Sequence, residues 1–216
     1  GTGIVNISSS GSVDNTDASV GHSATGVGEI NVLGGGTIWT TRGTLRIGDA
    51  GQGMANVTTG AVATALVAEI GSGSTGNGEA NITGDGSLWQ VSTTLDVGIA
   101  GYGKLNVTAG GHVTAGSSTL GSSVAGYGEI NIDGNGSNWT LAGALVIGEA
   151  GTGLLSMTGG VASDASAILA AQAGSIGTAT IFSGRWSHSG ALTVGSAGAG
   201  TLNLTGNGVV EVGETF

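Results

Sequence analysis

Apolar and polar residues alternate along this chain in short bursts, and the bursts recur. In Gly28-Glu-Ile-Asn-Val32 the apolar Ile30 and Val32 flank a polar residue, and Trp39, then Leu45 and Ile47, follow in the same alternation. A period of two marks a strand buried on one face. Glycines at 34 to 36, at 43 and from Gly48 to Gly51 punctuate the bursts, as corners needing positive φ do. The opening phrase then returns, as Gly3-Ile-Val-Asn-Ile, Gly53-Met-Ala-Asn-Val, Gly78-Glu-Ala-Asn-Ile, Gly103-Lys-Leu-Asn-Val and Gly128-Glu-Ile-Asn-Ile. It weakens to Gly153-Leu-Leu-Ser-Met and Gly177-Thr-Ala-Thr-Ile and recovers as Gly200-Thr-Leu-Asn-Leu. Its glycines stand at 3, 28, 53, 78, 103, 128, 153, 177 and 200, six steps of 25 followed by 24 and 23.

A fixed period of this length is the mark of a stacked repeat. Three short strands and three corners close one coil, and stacking coils sets each strand parallel to its equivalent roughly 4.8 Å away. Parallel crossovers are right-handed almost without exception. The pattern therefore predicts an all-β fold, a right-handed, three-sided parallel β-helix (solenoid) of about 25 residues per coil and nearly nine coils, with residues 1–216 forming one body on the order of 40 Å long. A β-sandwich of hairpins also uses short strands and glycine turns, but it has no reason to repeat one strand phrase at a constant interval. The absence of proline suits the solenoid, because every strand N–H donates to a neighbouring coil.

A longer period overlies the first. Trp39, Trp89, Trp139 and Trp186 fall in alternate coils, and the coils between carry Gly60-Ala-Val or Gly110-Gly-His-Val instead. Position 38 is Ile and its equivalents are Leu88 and Asn138, so that position faces outward and the tryptophans inward, opposite small residues expected at Thr64 and Thr114. From Val161 to Gly174 the pattern thins. An alanine-rich run after Ser163-Asp-Ala-Ser also suits a short helix, but its register aligns Leu169-Ala170 with Leu120-Gly121 and favours a strand.

Composition removes several functions. The formal charge is −10, and four basic residues, Arg42, Arg46, Lys104 and Arg185, make no basic stripe, so nucleic acid and anionic lipid are poor partners. Without cysteine there is no disulfide, thiolate metal site or Cys nucleophile. No apolar run is long enough for a membrane helix, and no charged-then-apolar leader stands at Gly1. The chain starts and stops within its repeat, the last unit running out at Phe216, and reads as a piece whose signal and anchor are expected outside it.

Polar rows are the remaining candidates. Asn6, Asn31, Asn56, Asn81, Asn106 and Asn131, continued by Ser156, Thr180 and Asn203, form a column of outward residues. Stacked amides bond along such a column, which reads first as a ladder fixing register and alternatively as a flat face for a glycan or a second rod. Glu29, Glu79 and Glu129 recur two coils apart, roughly 10 Å, just beyond the carboxylate spacings of glycosidases, and read as solvated charge. His22, His112 and His188 lie in unlike settings without a partner at zinc-site or triad spacing. Asp14 and Asp17 are the closest acidic pair, with no basic residue near them in sequence.

Three phrases then resemble a known family. Gly101-Tyr-Gly-Lys-Leu-Asn-Val-Thr108, Gly134-Asn-Gly-Ser-Asn-Trp139 and Ala144-Leu-Val-Ile-Gly-Glu-Ala-Gly151 look like the repeat of type V secretion autotransporter passengers and PEP-CTERM-associated surface proteins. The resemblance covers nearly the whole chain and fades between 153 and 177. It implies Gram-negative secretion to the outer membrane exterior, a cleaved signal and a separate membrane barrel, and no catalytic motif of the family maps onto a residue here. The chain is thus expected to be a non-enzymatic passenger, surface-displayed or secreted, that adheres to a host or to itself. No catalytic, cofactor or metal residue is assigned, and its ligand-binding residues are unknown. Alternatives are a released ligand of a host cell-surface receptor and a polysaccharide-degrading enzyme. The uncapped end strands, with Ile4, Val5 and Ile7 at one end and Val209, Val210 and Val212 at the other, predict weak end-to-end association.

Overall fold

The computed structural model describes residues 1–213, so the close of the last unit at Phe216 lies outside the described residues. Strands and corners make up the described chain, and all the strand pairings are parallel. The first side of each coil is the glycine phrase, running through Thr2–Ile7, Val27–Leu33, Gln52–Thr58, Asn77–Thr83, Tyr102–Thr108 and Tyr127–Asp133 and ending at Ala199–Leu204. Ser12–Asn15, Leu88–Val91, His112–Ala115 and Asn138–Leu141 belong to the second side, and Ala18–Val20, Thr94–Val97, Ser117–Leu120 and Ala144–Ile147 to the third. This is the expected parallel β-solenoid, stacked in about eight turns with the period read from the sequence.

On the first side Gly3 pairs with Gly28, Gly28 with Gly53 and Gly53 with Gly78, and register first shifts after Met157, where Thr158 meets Ser183. The phrase glycine faces inward against the end of the third side. A Cβ on Gly78 would strike the Ile47 carbonyl, and one on Gly128 the Val97 carbonyl. Sterics at this corner therefore demand the residue that made the repeat visible.

The tryptophans do face the core, all 2% exposed or less. Their small partners are Ala63 and Val113, one residue before the expected Thr64 and Thr114. The ladder pairs Trp39 with Ala63 and Ala63 with Trp89, a short step along the chain followed by a long one. Coils with Trp are longer at their first two corners, and the step from Leu45 to its partner Ala68 is shorter still. Coils without Trp recover the difference at the third corner, where Gly71-Ser-Gly-Ser-Thr-Gly76 replaces the shorter Gly48-Asp-Ala-Gly51. A constant total conceals two coil shapes. The resulting column, Val13, Trp39, Ala63, Trp89, Val113, Trp139, Ala162, Trp186 and Val210, alternates bulk with space, which lets indoles interleave at coil spacing.

The alanine-rich segment is strand, as its register indicates: Ser166–Leu169 pairs with Ala144–Ile147, and Leu169 follows Ile147, which follows Leu120. Ala170 takes the left-handed corner (φ 59) that glycine holds at 121 and 148. Losing the glycine there removes the visible corner and makes the stretch resemble a helix.

On the outer surface of the third side Arg46, Glu69, Asp96 and Thr119 lie in register. Burial first, then the nearby Glu69, raises the Asp96 carboxyl above its ordinary range. Folding thus favours the protonated acid. Its cost is absent below the unfolded-state pKa and complete above the folded-state one. Asp96→Asn is expected to raise the melting temperature at about pH 7 and leave it unchanged at about pH 3, a comparison that thermal denaturation of both proteins makes directly.

Candidate functional site

The first side turns four rows of side chains outward, one of them Leu33, Thr58, Thr83, Thr108 and Asp133; the other three carry the polar candidates. The inner row is the amide column, bonded as its spacing implies. Asn31 Nδ2 donates to Asn6 Oδ1 at 2.9 Å, and Asn56, Asn81, Asn106 and Asn131 each donate to the preceding amide at 2.7, 2.9, 2.8 and 3.1 Å. All five bonds point the same way along the rod. Beyond Asn131 the column passes to Ser156 and Thr180, and Asn203 Nδ2 donates to Thr180 Oγ1 at 3.4 Å.

The middle row is Ile4, Glu29, Met54, Glu79, Lys104, Glu129 and Leu154. Asn31, Asn106 and Asn131 use their second N–H on Glu29, Glu79 and Glu129 respectively, at 2.9, 2.9 and 2.7 Å. The glutamates are therefore joined to the amide column and are not independent solvated charges. Glu129 also meets Lys104 Nζ at 3.3 Å and accepts from Tyr102 Oη at 3.2 Å. Burial works to raise its pKa, but the Asn131 amide and the Lys104 charge outweigh it and hold the carboxyl below its usual range. Among the described residues, Glu29 and Glu79 have no basic partner.

The outer row holds Val27, Gln52, Asn77, Tyr102 and Tyr127. The two tyrosine rings stack, their centroids 5.4 Å apart and their planes inclined by 19°. Burial, followed by the Glu129 charge, pushes the Tyr102 hydroxyl up to about 12, so it stays a donor throughout the neutral range. In the sequence this pair is inconspicuous. Its signal is present, since each tyrosine immediately precedes a phrase glycine. Between Glu29 and Glu79 the middle and outer rows line a shallow groove of about 280 Å³ over Met54, with Val27, Gln52 and Asn77 along its other edge.

Folding also assembles a serine, a histidine and an aspartate that are dispersed in sequence. His22 Nδ1 lies 2.8 Å from Asp49 Oδ2 and 3.3 Å from Ser19 Oγ, and Ser19 Oγ lies 3.2 Å from the same Asp49 oxygen. A catalytic triad places serine and carboxylate on opposite ring nitrogens. Here both converge on Nδ1, with the His22 side chain 80% exposed, so the cluster lacks the geometry of a proton relay. Asp14 does acquire a basic neighbour, because folding brings Arg42 Nε and Nη2 to its two oxygens at 2.8 and 2.5 Å. Those hydrogen bonds hold the Asp14 carboxyl below its ordinary value. Asp17 Oδ1 accepts from the Thr44 amide at 2.7 Å.

His112 lies on the outer surface of the second side. His188 is instead within the core, with its ring Nδ1 donating to Asp164 Oδ1 at 2.6 Å while Trp186 Nε1 donates to Asp164 Oδ2 at 2.7 Å. Among the described residues no three His, Cys, Asp or Glu side chains are grouped to hold a metal ion, and no helix is long and apolar enough to cross a membrane.

No protein-family model, curated protein or solved structure matches the chain. Fold and surface chemistry therefore supply the basis for a functional reading.

Proposed function

We propose that this protein is a non-enzymatic, surface-displayed or secreted bacterial rod of the autotransporter-passenger kind, working by lateral contact with a host surface or with another copy of itself. The bonded amide column carries the reading. Five consecutive amide bonds hold a flat strip of donors and acceptors in fixed spacing, so a partner can engage the strip without first ordering it. The resemblance of the repeat phrases to passenger sequences supports secretion to the outer membrane exterior. The charge of −10 argues against nucleic acid as partner.

Adhesion of beads coated with the protein to host cells and to one another tests this. Asn81→Arg, on the amide strip, is expected to reduce attachment several-fold. Gln90→Arg, on the exposed surface of the second side, should leave it intact. No attachment by the parent protein, or equal loss from both variants, would overturn the proposal. In a separate piece of residues 1–216, Ile4 and Val5, 58% and 49% exposed, and Val209 and Val212, 41% and 48% exposed, offer strand edges for end-to-end pairing. Light scattering over a concentration series should show apparent mass rising with concentration.

A further inference from the structure

The groove over Met54 has a composition that the rest of the amide strip lacks. Its floor is a thioether 38% exposed, and Glu29 and Glu79 stand at its two ends. One oxygen of each carboxylate is bonded to a ladder amide, Asn31 or Asn106. The second oxygen of each remains for a donor from outside, and neither carboxylate is in an ion pair among the described residues; Lys104, next to Glu79 in register, pairs with Glu129 instead. Gln52 and Asn77 add neutral amides along one edge.

Tyr102 follows Asn77 in register, one coil further along. Tyr127 covers one face of its ring. The other face looks back along the rod toward Asn77 and the groove, and the residue is 36% exposed. Its hydroxyl is bound to Glu129, which fixes the ring. A fixed, exposed aromatic face attracts the C–H face of a sugar ring and an ammonium group alike.

From this arrangement we infer that the groove binds an oligosaccharide carrying free amino groups, a hexosamine chain laid along the rod with its rings over Met54 and Tyr102 and its ammonium groups at Glu29 and Glu79. Charge complementarity selects this occupant. The two carboxylates stand two coils apart, roughly 10 Å, a separation suited to amino groups on alternate sugars of an extended chain rather than to one small cation. The apolar floor over Met54 suits pyranose rings, whose broad C–H faces a simple polycation lacks. Acidic glycans are repelled by the same carboxylates.

The inference rests on the contact reading and names the chemistry of one partner. Calorimetric titration of the whole protein with a glucosamine tetramer tests it, alongside the N-acetylated tetramer, a galacturonate tetramer and tetralysine. The glucosamine tetramer is expected to bind, more weakly as salt rises. Glu79→Gln should weaken binding about tenfold, the loss of one charge-assisted hydrogen bond, and Tyr102→Ala should weaken it by a comparable factor. Gln90→Arg should have no effect. Circular dichroism of each variant separates lost binding from lost fold. Glu29→Gln, at the other end of the groove, supplies a second carboxylate variant if Glu79→Gln fails to fold. Equal binding of the N-acetylated tetramer, equal binding of tetralysine, or no binding of the glucosamine tetramer would each overturn the assignment. Beads that still adhere to cells through the amide strip while the glucosamine tetramer fails to bind would refute the groove and leave the contact reading standing.

Discussion

Replacing Ile130 by proline is expected to destabilise the rod by about 3 kcal/mol or more. Ile130 sits in the middle of Tyr127–Asp133, a strand paired on both sides, with Leu105 on one flank and Leu155 on the other, and its side chain is fully buried. Proline removes a ladder donor, and its ring needs room that a strand between two parallel neighbours does not have. Ile130→Val keeps the backbone intact and should cost only about 0.5–1.5 kcal/mol, so the pair separates ladder from packing. Thermal unfolding of the two variants measures the difference. An unmoved midpoint for the proline variant would place residue 130 outside the ladder and contradict the register of the whole first side.

Asp164→Ala should have an effect of similar size through a different cause. The carboxylate receives both Trp186 Nε1 and His188 Nδ1 in a site where the His188 and Asp164 side chains are 0% and 1% exposed. The indole and imidazole also meet edge to face, with centroids 4.5 Å apart. Removing the acceptor leaves two donors buried without partners, a loss of about 3–5 kcal/mol. Because a solenoid's stability is a sum over coils and their junctions, the damage should stay local. Hydrogen exchange is expected to accelerate in strands 185–188 and 209–212 and to stay slow at 77–83. Uniform acceleration along the chain would show instead that the rod unfolds as one unit.

Much of this architecture was legible because a solenoid repeats its contacts in sequence order. The phrase glycine could be read once per coil since the same carbonyl approaches it each time, as Ile47 does at Gly78 and Val97 at Gly128. The inward tryptophans followed from Asn138, a residue that the core would not accept. Counting failed where corners exchange length: adding the full period to Trp39 reaches Thr64, whereas the ladder pairs Trp39 with Ala63. Side-chain partnerships between coils were less accessible. Arg42 reaches Asp14, and His22 reaches Asp49, across corners whose lengths vary. The tyrosine pair was in register and visible, but only the structure shows that the rings stack beside a groove. The ligand proposed for that groove depends on which carboxylate oxygens the amides leave open, a detail of side-chain conformation and not of spacing.

The single direction of the amide bonds, together with strands that all run parallel, bears on what the rod does under load. Ladder bonds lie along the long axis, so a pull on one terminus is borne by one coil's junction at a time. A detached coil of about 25 residues pays out roughly 80 Å of extended chain from a unit that had occupied roughly 4.8 Å of rod. A rod built this way yields by lengthening in steps, and the coils still stacked keep their register while the loose end absorbs the strain.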